Sequence, residues 1–449
     1  MAWPWSRWRR QHSAYHPVPP SDLGQWRLNT DRFLRVLRAL VAVGERLQNS
    51  PSQAQPPPQE DLAGDIVLDE LSAYTARGRL QVERVSYAKG RGNLILSYPG
   101  RSVGRTNQTV AFVGAHLDVV PADPKDWQRP PFALQVEGDR LYGRGVTDCL
   151  GHVTVLTDLF AQLAESEVEL DHSVVGVIIA DEELSNTHGV GIGRLVKDGR
   201  LDHLKNGPLY WIDSADFGPT TATAGMALWR LAIEGKGSHS GFPQNGINAA
   251  ELATEVTRAL QQWFYAHYPV HPKEHEYGFR APSSLKPTRV QVKNDTLTKI
   301  PSTARIEGDI RLTPWYDPDG VKKGLAAFLE RLDVSQLPVF GPGRYACNGQ
   351  VGTARFEMLG TPSGGMACDR TSAGYTALAQ AVAAVRPDAQ PFALTGSLPY
   401  VRFLQEHGFD VQITGFGRNE AYHAPNEFAE LSHMQDGFRI LCHLLRHFG

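Results

Sequence analysis

Hydrophobic and polar positions along this chain alternate in two different rhythms, one on each side of about residue 224. Before that point, short apolar runs at 92–97, 109–114, 173–180 and 209–212 have the length and β-branched content of buried strands. Helical patterns alternate with them. Asn29-Thr30 can cap a helix whose apolar face is Phe33, Leu34, Val36, Leu37, Leu40 and Val41. After Asp148 a second helix carries Val153, Leu156, Leu159, Phe160 and Leu163 on one side. This alternation predicts an α/β fold, a mixed sheet flanked by helices, with its site at the carboxyl edge of the strands. Residues 1–30 read mostly as loop, and the Pro- and Gln-rich stretch 50–60 reads as a linker or surface loop.

Past residue 224 the period changes. The stretch 227–235 alternates like a half-buried strand, and 247–264 is an amphipathic helix. Strands at 288–292 and 304–312, a helix at 321–332 and a strand at 353–359 follow. Strand-helix-strand-strand-helix-strand is the ferredoxin-like βαββαβ order of a small two-layer domain. The first rhythm then returns, with a helix at 373–385, a strand at 410–415 and a closing helix at 434–448. The chain therefore reads as a catalytic-type α/β domain, 1–223 and 363–449, interrupted by an inserted domain, 224–362.

Composition narrows the partners. A net charge of -3 over 449 residues argues against nucleic acid or an anionic membrane. No apolar run approaches the roughly 20 residues that span a bilayer. The four cysteines, Cys149, Cys347, Cys368 and Cys442, form no CxxC pair, which fits a reducing compartment without disulfides or thiolate zinc sites. The first ten residues hold three Trp, three Arg and no acid, and lack the apolar stretch of a secretion signal. The expected location is the cytoplasm, with organelle targeting left open.

The candidate chemistry is a series of acids and histidines in fixed order. His116-Leu117-Asp118 ends one apolar run, Asp148 follows Gly143-Arg144-Gly145, Asp181-Glu182-Glu183 ends another run, Asp213 follows Leu209-Tyr210-Trp211-Ile212, and Tyr422-His423 comes late. Two His and three carboxylates suit a pair of Zn²⁺-like ions, and Glu182 is left over as a base. Each piece alone is weak. A lone HxD is usually a satisfied histidine, and an isolated acidic triplet is usually a solvated turn. Asp216 competes with Asp213, which is favoured because it directly follows its strand. His271 and His275 have helical metal-pair spacing, but Pro269 and Pro272 assign them to a loop. Ser238-His239-Ser240 lacks a nucleophile elbow.

The ordered series resembles the co-catalytic metallo-amidohydrolases, a family holding acetylornithine deacetylase, succinyl-diaminopimelate desuccinylase, aminoacylase and glutamate carboxypeptidases. Thr147–Val153, Gly207–Asp216, Arg311-Leu312-Thr313-Pro314 and Thr395–Pro399 are most similar to the plant-type deacetylases. The resemblance covers nearly everything after residue 15. It implies two Zn²⁺ (or Co²⁺) per subunit, one held by His116 and Asp213, the other by Glu183 and His423, with Asp148 bridging. It implies Asp118 as orienter of His116, Glu182 as general base and a cis peptide after Asp148. It further implies a homodimer, His239 donating to the oxyanion in the partner's site, Arg311 on the substrate α-carboxylate, and Thr395, Gly396 and Ser397 around the substrate. Thr298 departs from the family by standing where Asn often precedes Ile-Pro. The expected reaction is hydrolysis of N-acetyl-L-ornithine, a small N-acyl amino acid. An aminoacylase or dipeptidase would use the same ligands, and an inactive binding relative would keep the fold.

Overall fold

The computed structural model describes residues 20–50, 56–101, 108–184, 189–294, 296–339, 341 and 344–448. The Trp- and Arg-rich start lies outside the described residues, as does 51–55 of the expected linker. The chain divides into two compact units. The first holds residues up to Thr221, Cys368–Pro391 and Phe403–Gly449, and the second holds Ala222–Ala367 and Phe392–Arg402. The inserted domain read from sequence, 224–362, is extended to 222–367, and residues 392–402, assigned there to the catalytic domain, cluster with the second unit. Ala224 donates its N–H to the carbonyls of Leu394 (2.9 Å) and Gly396 (3.0 Å), which ties that segment to the start of the insertion.

In the first unit the strands run in the order Gln81–Ser86, Gly92–Tyr98, Ser173–Ile179, Thr109–His116, Pro208–Trp211 and Asp410–Ile413. The last four are mutually parallel, and Gly92–Tyr98 pairs antiparallel with both of its neighbours, Gln81–Ser86 and Ser173–Ile179. Every residue of Thr109–His116 is buried, as expected of a strand covered on both faces. The helix Leu150–Ser166 is also buried along most of its circumference. It needs no polar face because Thr154 and Thr157 return their hydroxyls to the carbonyls of Leu150 and Val153, at 2.7 and 2.8 Å. The helix Thr30–Ala42 is capped by Asn29, whose side chain accepts from Arg32 N, and buries Phe33, Val36, Leu37, Leu40 and Val41.

Two neighbouring elements have only a faint sequence signal. The helix Glu60–Ala76 begins inside the expected linker, and the strand Gln81–Ser86 follows it. The helix's buried face is small and sparse, with Ala63, Gly64, Val67 and Leu71 separated by acids, so its apolar period is faint. His271 and His275 also differ from expectation. Pro272 starts a short helix, Pro272–Glu276, with His271 as its cap. Proline fits the first helical turn, where its missing N–H is not needed.

The second unit has the strand order Ser284–Val292, Thr303–Leu312, Gly225–Glu234, Thr353–Ser363, all antiparallel neighbours. Ala227, Trp229, Leu231 and Ile233 point inward from one strand. The helices Ala249–His267 and Pro318–Arg331 supply Leu252, Val256, Leu260, Phe264, Val321 and Leu325 to the same core. Gly308 gives room for Trp229, since a Cβ there would lie 2.8 Å from the indole and 2.0 Å from the Lys286 carbonyl.

Among the described residues no helix is long and apolar enough to cross a membrane. One close approach sets a stability test. In the closing helix Leu431–Phe448, a Cβ at Gly437 would meet the Phe416 ring at 2.3 Å. Phe416 is fixed from its other side by the His152 ring, stacked at 5.2 Å. Gly437→Ala should therefore lower the unfolding free energy by about 1–3 kcal/mol through overpacking, despite alanine's better helix propensity. Urea unfolding followed by tryptophan fluorescence checks this, and an equal or higher midpoint would contradict it.

Candidate active site

Four neighbouring parallel strands deliver the site. His116 is the last residue of its strand, Asp181–Glu183 follow the strand ending at Ile179, Asp213 stands two residues past Trp211, and the loop after Ile413 leads to His423. All belong to the first unit. Asp148 arrives from a loop fed by Gly143 and Gly145, the latter at φ +93, and its peptide to Cys149 is cis.

Asp148 lies between the two histidines. Its Oδ1 is 3.0 Å from His116 Nε2, and its Oδ2 is 3.0 Å from His423 Nε2. His423 Nε2 is also 3.1 Å from Glu183 Oε2. The donor atoms of His116, Asp148 and Glu183 lie within 4.8 Å of one another, as do those of His116, Cys149 and Asp213. Tyr422 donates to Asp213 Oδ1 at 3.4 Å. The five expected ligands thus share one cluster. Asp216 instead accepts from Asn419 at 2.8 Å.

His116 Nδ1 meets the Asp118 backbone carbonyl at 2.9 Å, while the Asp118 carboxylate is 3.4 Å away. A carbonyl only accepts, so Nδ1 carries a proton, and Nε2 is left facing Asp148 as the place for a second proton or a metal ion. The backbone carbonyl and the carboxylate of Asp118 thus both face Nδ1, the carbonyl at the shorter distance. That carboxylate accepts from Glu182 N and Glu183 N, both at 3.1 Å, and from Asn49 Nδ2 at 2.8 Å. It shapes the turn that carries Glu182 and Glu183. Asp181 begins that turn in the left-handed region, at φ +62.

The donor set fits divalent cations. A lone pair on Nε2 facing a carboxylate oxygen at 3.0 Å is acceptor against acceptor, and only a proton or a metal ion between them makes it attractive. With protein groups alone, the cluster is electrostatically frustrated. Burial and the Asp148 charge push Glu183 up to about 8 and Asp213 up to about 7. Burial and Asp213 hold Glu182 well above the carboxylate range. Hydrogen bonds to Asp148 and Glu183 raise His423 to about 11. Burial keeps the Cys149 thiol protonated, which leaves nitrogen and oxygen as the charged or lone-pair donors.

The remaining expected residues lie in the second unit. His239 is exposed on the strand Ser238–His239, and its Nδ1 accepts from Gly241 N at 3.0 Å. Arg311, on Thr303–Leu312, pairs through Nε with Asp309 Oδ2 at 2.7 Å. Thr395, Gly396 and Ser397 lie between the strand Phe392–Leu394 and the helix Pro399–Glu406.

The pattern of peptidase family M20/M25/M40 matches residues 112–447. The chain belongs to that family. It is accordingly a metal-dependent hydrolase. It is 42% identical to the acetylornithine deacetylase of Dictyostelium discoideum over 93% of this chain and 97% of that one. It is 41% identical to the Arabidopsis thaliana acetylornithine deacetylase over 93% and 96%. The M20 fold recurs in human carnosine dipeptidase 1, at TM-score 0.68, 17% identity and coverage of 96% and 99%. It recurs also in a dinuclear metal-binding peptidase of the M20 family from Bacillus subtilis, at TM-score 0.57, 14% identity and coverage of 93% and 98%.

Sequence reasoning gave Glu427 no role. Its fully buried carboxylate accepts from Arg144 Nη1 (2.8 Å), Gly145 N (3.0 Å), Thr147 N (2.8 Å) and Asp148 N (3.0 Å). It folds the loop that presents Asp148 around itself. Its only sequence signal was an acid four residues after His423. Glu427→Gln keeps the shape but turns an amide donor toward donors. It should cost about 3 kcal/mol, the scale for a broken buried pair, and lower bound metal. Urea unfolding and metal analysis measure both, and a variant with wild-type values in each would refute the clamp.

Proposed function

We propose that this chain hydrolyses N-acetyl-L-ornithine to L-ornithine and acetate, the deacetylation step of arginine biosynthesis. One observation carries the chemistry: Asp148 presents one oxygen to each of two histidines inside a buried group of carboxylates. The substrate is supported by 41–42% identity to acetylornithine deacetylases across nearly the whole chain.

His116 and Asp213 would hold one divalent ion, Glu183 and His423 the other, with Asp148 between them; zinc or cobalt suits these donors. When bound, the pair supplies a water of lowered pKa and a Lewis acid for the acyl oxygen. Glu182 takes a proton from the attacking water as the C–O bond forms. It returns that proton to the departing α-nitrogen as the amide C–N bond breaks. Its enclosure beside Asp213 favours the protonated form needed for the second task. Arg311 recognises the α-carboxylate, with Thr395–Ser397 contributing to substrate binding. His239 donates to the oxyanion, worth about 3 kcal/mol in a transition state, in the partner subunit of a homodimer. All four cysteines are buried thiols and not disulfides, which supports a reducing location such as the cytoplasm.

A panel of N-acyl amino acids and dipeptides, assayed with added Zn²⁺ or Co²⁺, tests the substrate. N-acetyl-L-ornithine should have the highest kcat/KM. A dipeptide or N-acetylmethionine leading the panel would reassign the enzyme within its family. In the same assay Glu182→Gln should lose about 10²–10⁴-fold in kcat while retaining metal. Glu183→Gln should lose one ion. The reverse pattern would exchange the two roles.

The dimer has a separate test. Chains carrying His239→Ala and chains carrying Glu182→Gln should each be inactive. Subunit exchange should restore part of the activity, because one site in each mixed dimer regains both groups. No recovery despite proven exchange would exclude action across the interface.

A further inference from the structure

We propose that Asn49 is a positioning residue for the metal centre, and that the chain segment before the matched family region completes the catalytic turn. The inference rests on the metallohydrolase reading above. Asn49 is 1% exposed and lies outside residues 112–447. Its single amide nitrogen donates to Asp118 Oδ2 at 2.8 Å and to Asp181 Oδ1 at 3.1 Å. Asp118 in turn accepts from the backbone of Glu182 and Glu183, and Asp181 begins the same turn. One neutral side chain therefore joins the two carboxylates that hold the base and a ligand in place.

The segment is fixed where this requires it. Asn49 N donates to Val119 O at 2.8 Å, and Val119 N donates to Leu47 O at 3.1 Å, a one-rung parallel bridge just beyond His116-Leu117-Asp118. Gln48 adds an anchor on the far side by accepting from Ala122 N at 2.8 Å. Behind Asp181, Arg91 reaches its Oδ1 at 3.3 Å and also pairs with Glu60, and both Arg91 and Glu60 are buried. A buried row thus runs Glu60, Arg91, Asp181, Asn49, Asp118, His116. An amide is the suitable group at its centre. Two N–H bonds on one nitrogen satisfy two carboxylates, whereas a third carboxylate would repel both.

The test compares Asn49→Ala and Asn49→Ser with Gln48→Ala. Gln48→Ala removes an anchor of the same segment but touches neither carboxylate. Three quantities are read: Zn²⁺ affinity by competition with a chelating dye, kcat and KM on N-acetyl-L-ornithine at saturating Zn²⁺, and the melting temperature of the metal-free protein. Both Asn49 variants should lose about 10–100-fold in Zn²⁺ affinity or kcat, the usual scale for partners of metal ligands, with KM within about threefold. Gln48→Ala should keep near-wild-type affinity and kcat. Asn49→Ser, which retains one donor, carries the comparison if Asn49→Ala does not fold. Wild-type affinity and kcat in a folded Asn49 variant would overturn the proposal, and so would an equal loss in Gln48→Ala. A wild-type protein that binds no Zn²⁺ would overturn the metal-centre reading and this proposal together. A wild-type that binds Zn²⁺ but spares N-acetyl-L-ornithine would change the substrate alone, leaving Zn²⁺ affinity to decide the role of Asn49.

Discussion

Repulsion among buried carboxylates governs this catalytic unit. Asp118, Asp148, Asp181, Asp213 and Glu427 are all buried around one edge of one sheet, and the Glu183 side chain is equally enclosed. Leaving such charges unpaired away from water costs several kcal/mol each. The chain sorts them into two groups. The outer carboxylates receive protein donors: four for Glu427, Asn49 and two backbone N–H groups for Asp118, Asn49 and Arg91 for Asp181. The inner ones have fewer, Val120 N on Glu183 and the Tyr422 hydroxyl on Asp213, and with Asp148 they otherwise face one another and the two imidazoles. Their need for positive charge is what a pair of cations would meet, so the same arrangement that destabilises the metal-free cluster creates its affinity for metal.

The sheet makes this crowding attainable. Parallel strands end side by side, so groups one to three residues beyond each strand converge without long connections. The turns still need unusual backbone. Asp181 and His423 both take positive φ, at +62 and +57, conformations that non-glycine residues adopt only where surrounding bonds hold them. For Asp181 those bonds come from Asn49 and Arg91. Adjacent strand residues face opposite ways, and this turn is what brings Glu182 and Glu183 to the same edge.

The chemistry was more legible in the sequence than its support. His116, Asp148, Glu183, Asp213 and His423 could be picked out because most follow a strand-like run or a glycine turn, and because their order is distinctive. The mixed α/β sheet and the βαββαβ order were legible from periodicity. Asn49 gave no signal, because its partners are 69 and 132 residues away and nothing local marks a polar residue as buried. The helix Glu60–Ala76 hid behind a weak apolar period. Residues 392–402 carry no composition cue for the unit they join, since hydrogen bonds to Ala224 decide it. Local physics writes strands and turns into sequence. Long-range polar satisfaction leaves almost no trace there.

At Arg311 a strand-face ion pair and the proposed recognition of an α-carboxylate are compatible. Residues two apart on a strand share a face, so the Asp309–Arg311 pair follows directly from the register of Thr303–Leu312. Such a pair could by itself be a purely structural contact of the strand face. The contact, however, uses Nε, at 2.7 Å, and among the described residues no second carboxylate pairs with the guanidinium. The two terminal nitrogens therefore keep N–H groups in the planar fork that matches a carboxylate. Asp309 fixes the plane of that fork and reduces the rotamer freedom lost on binding. A lysine could keep the charge but would have neither the plane nor the second attachment point, so the ion pair would prepare the guanidinium for the proposed recognition without competing with it.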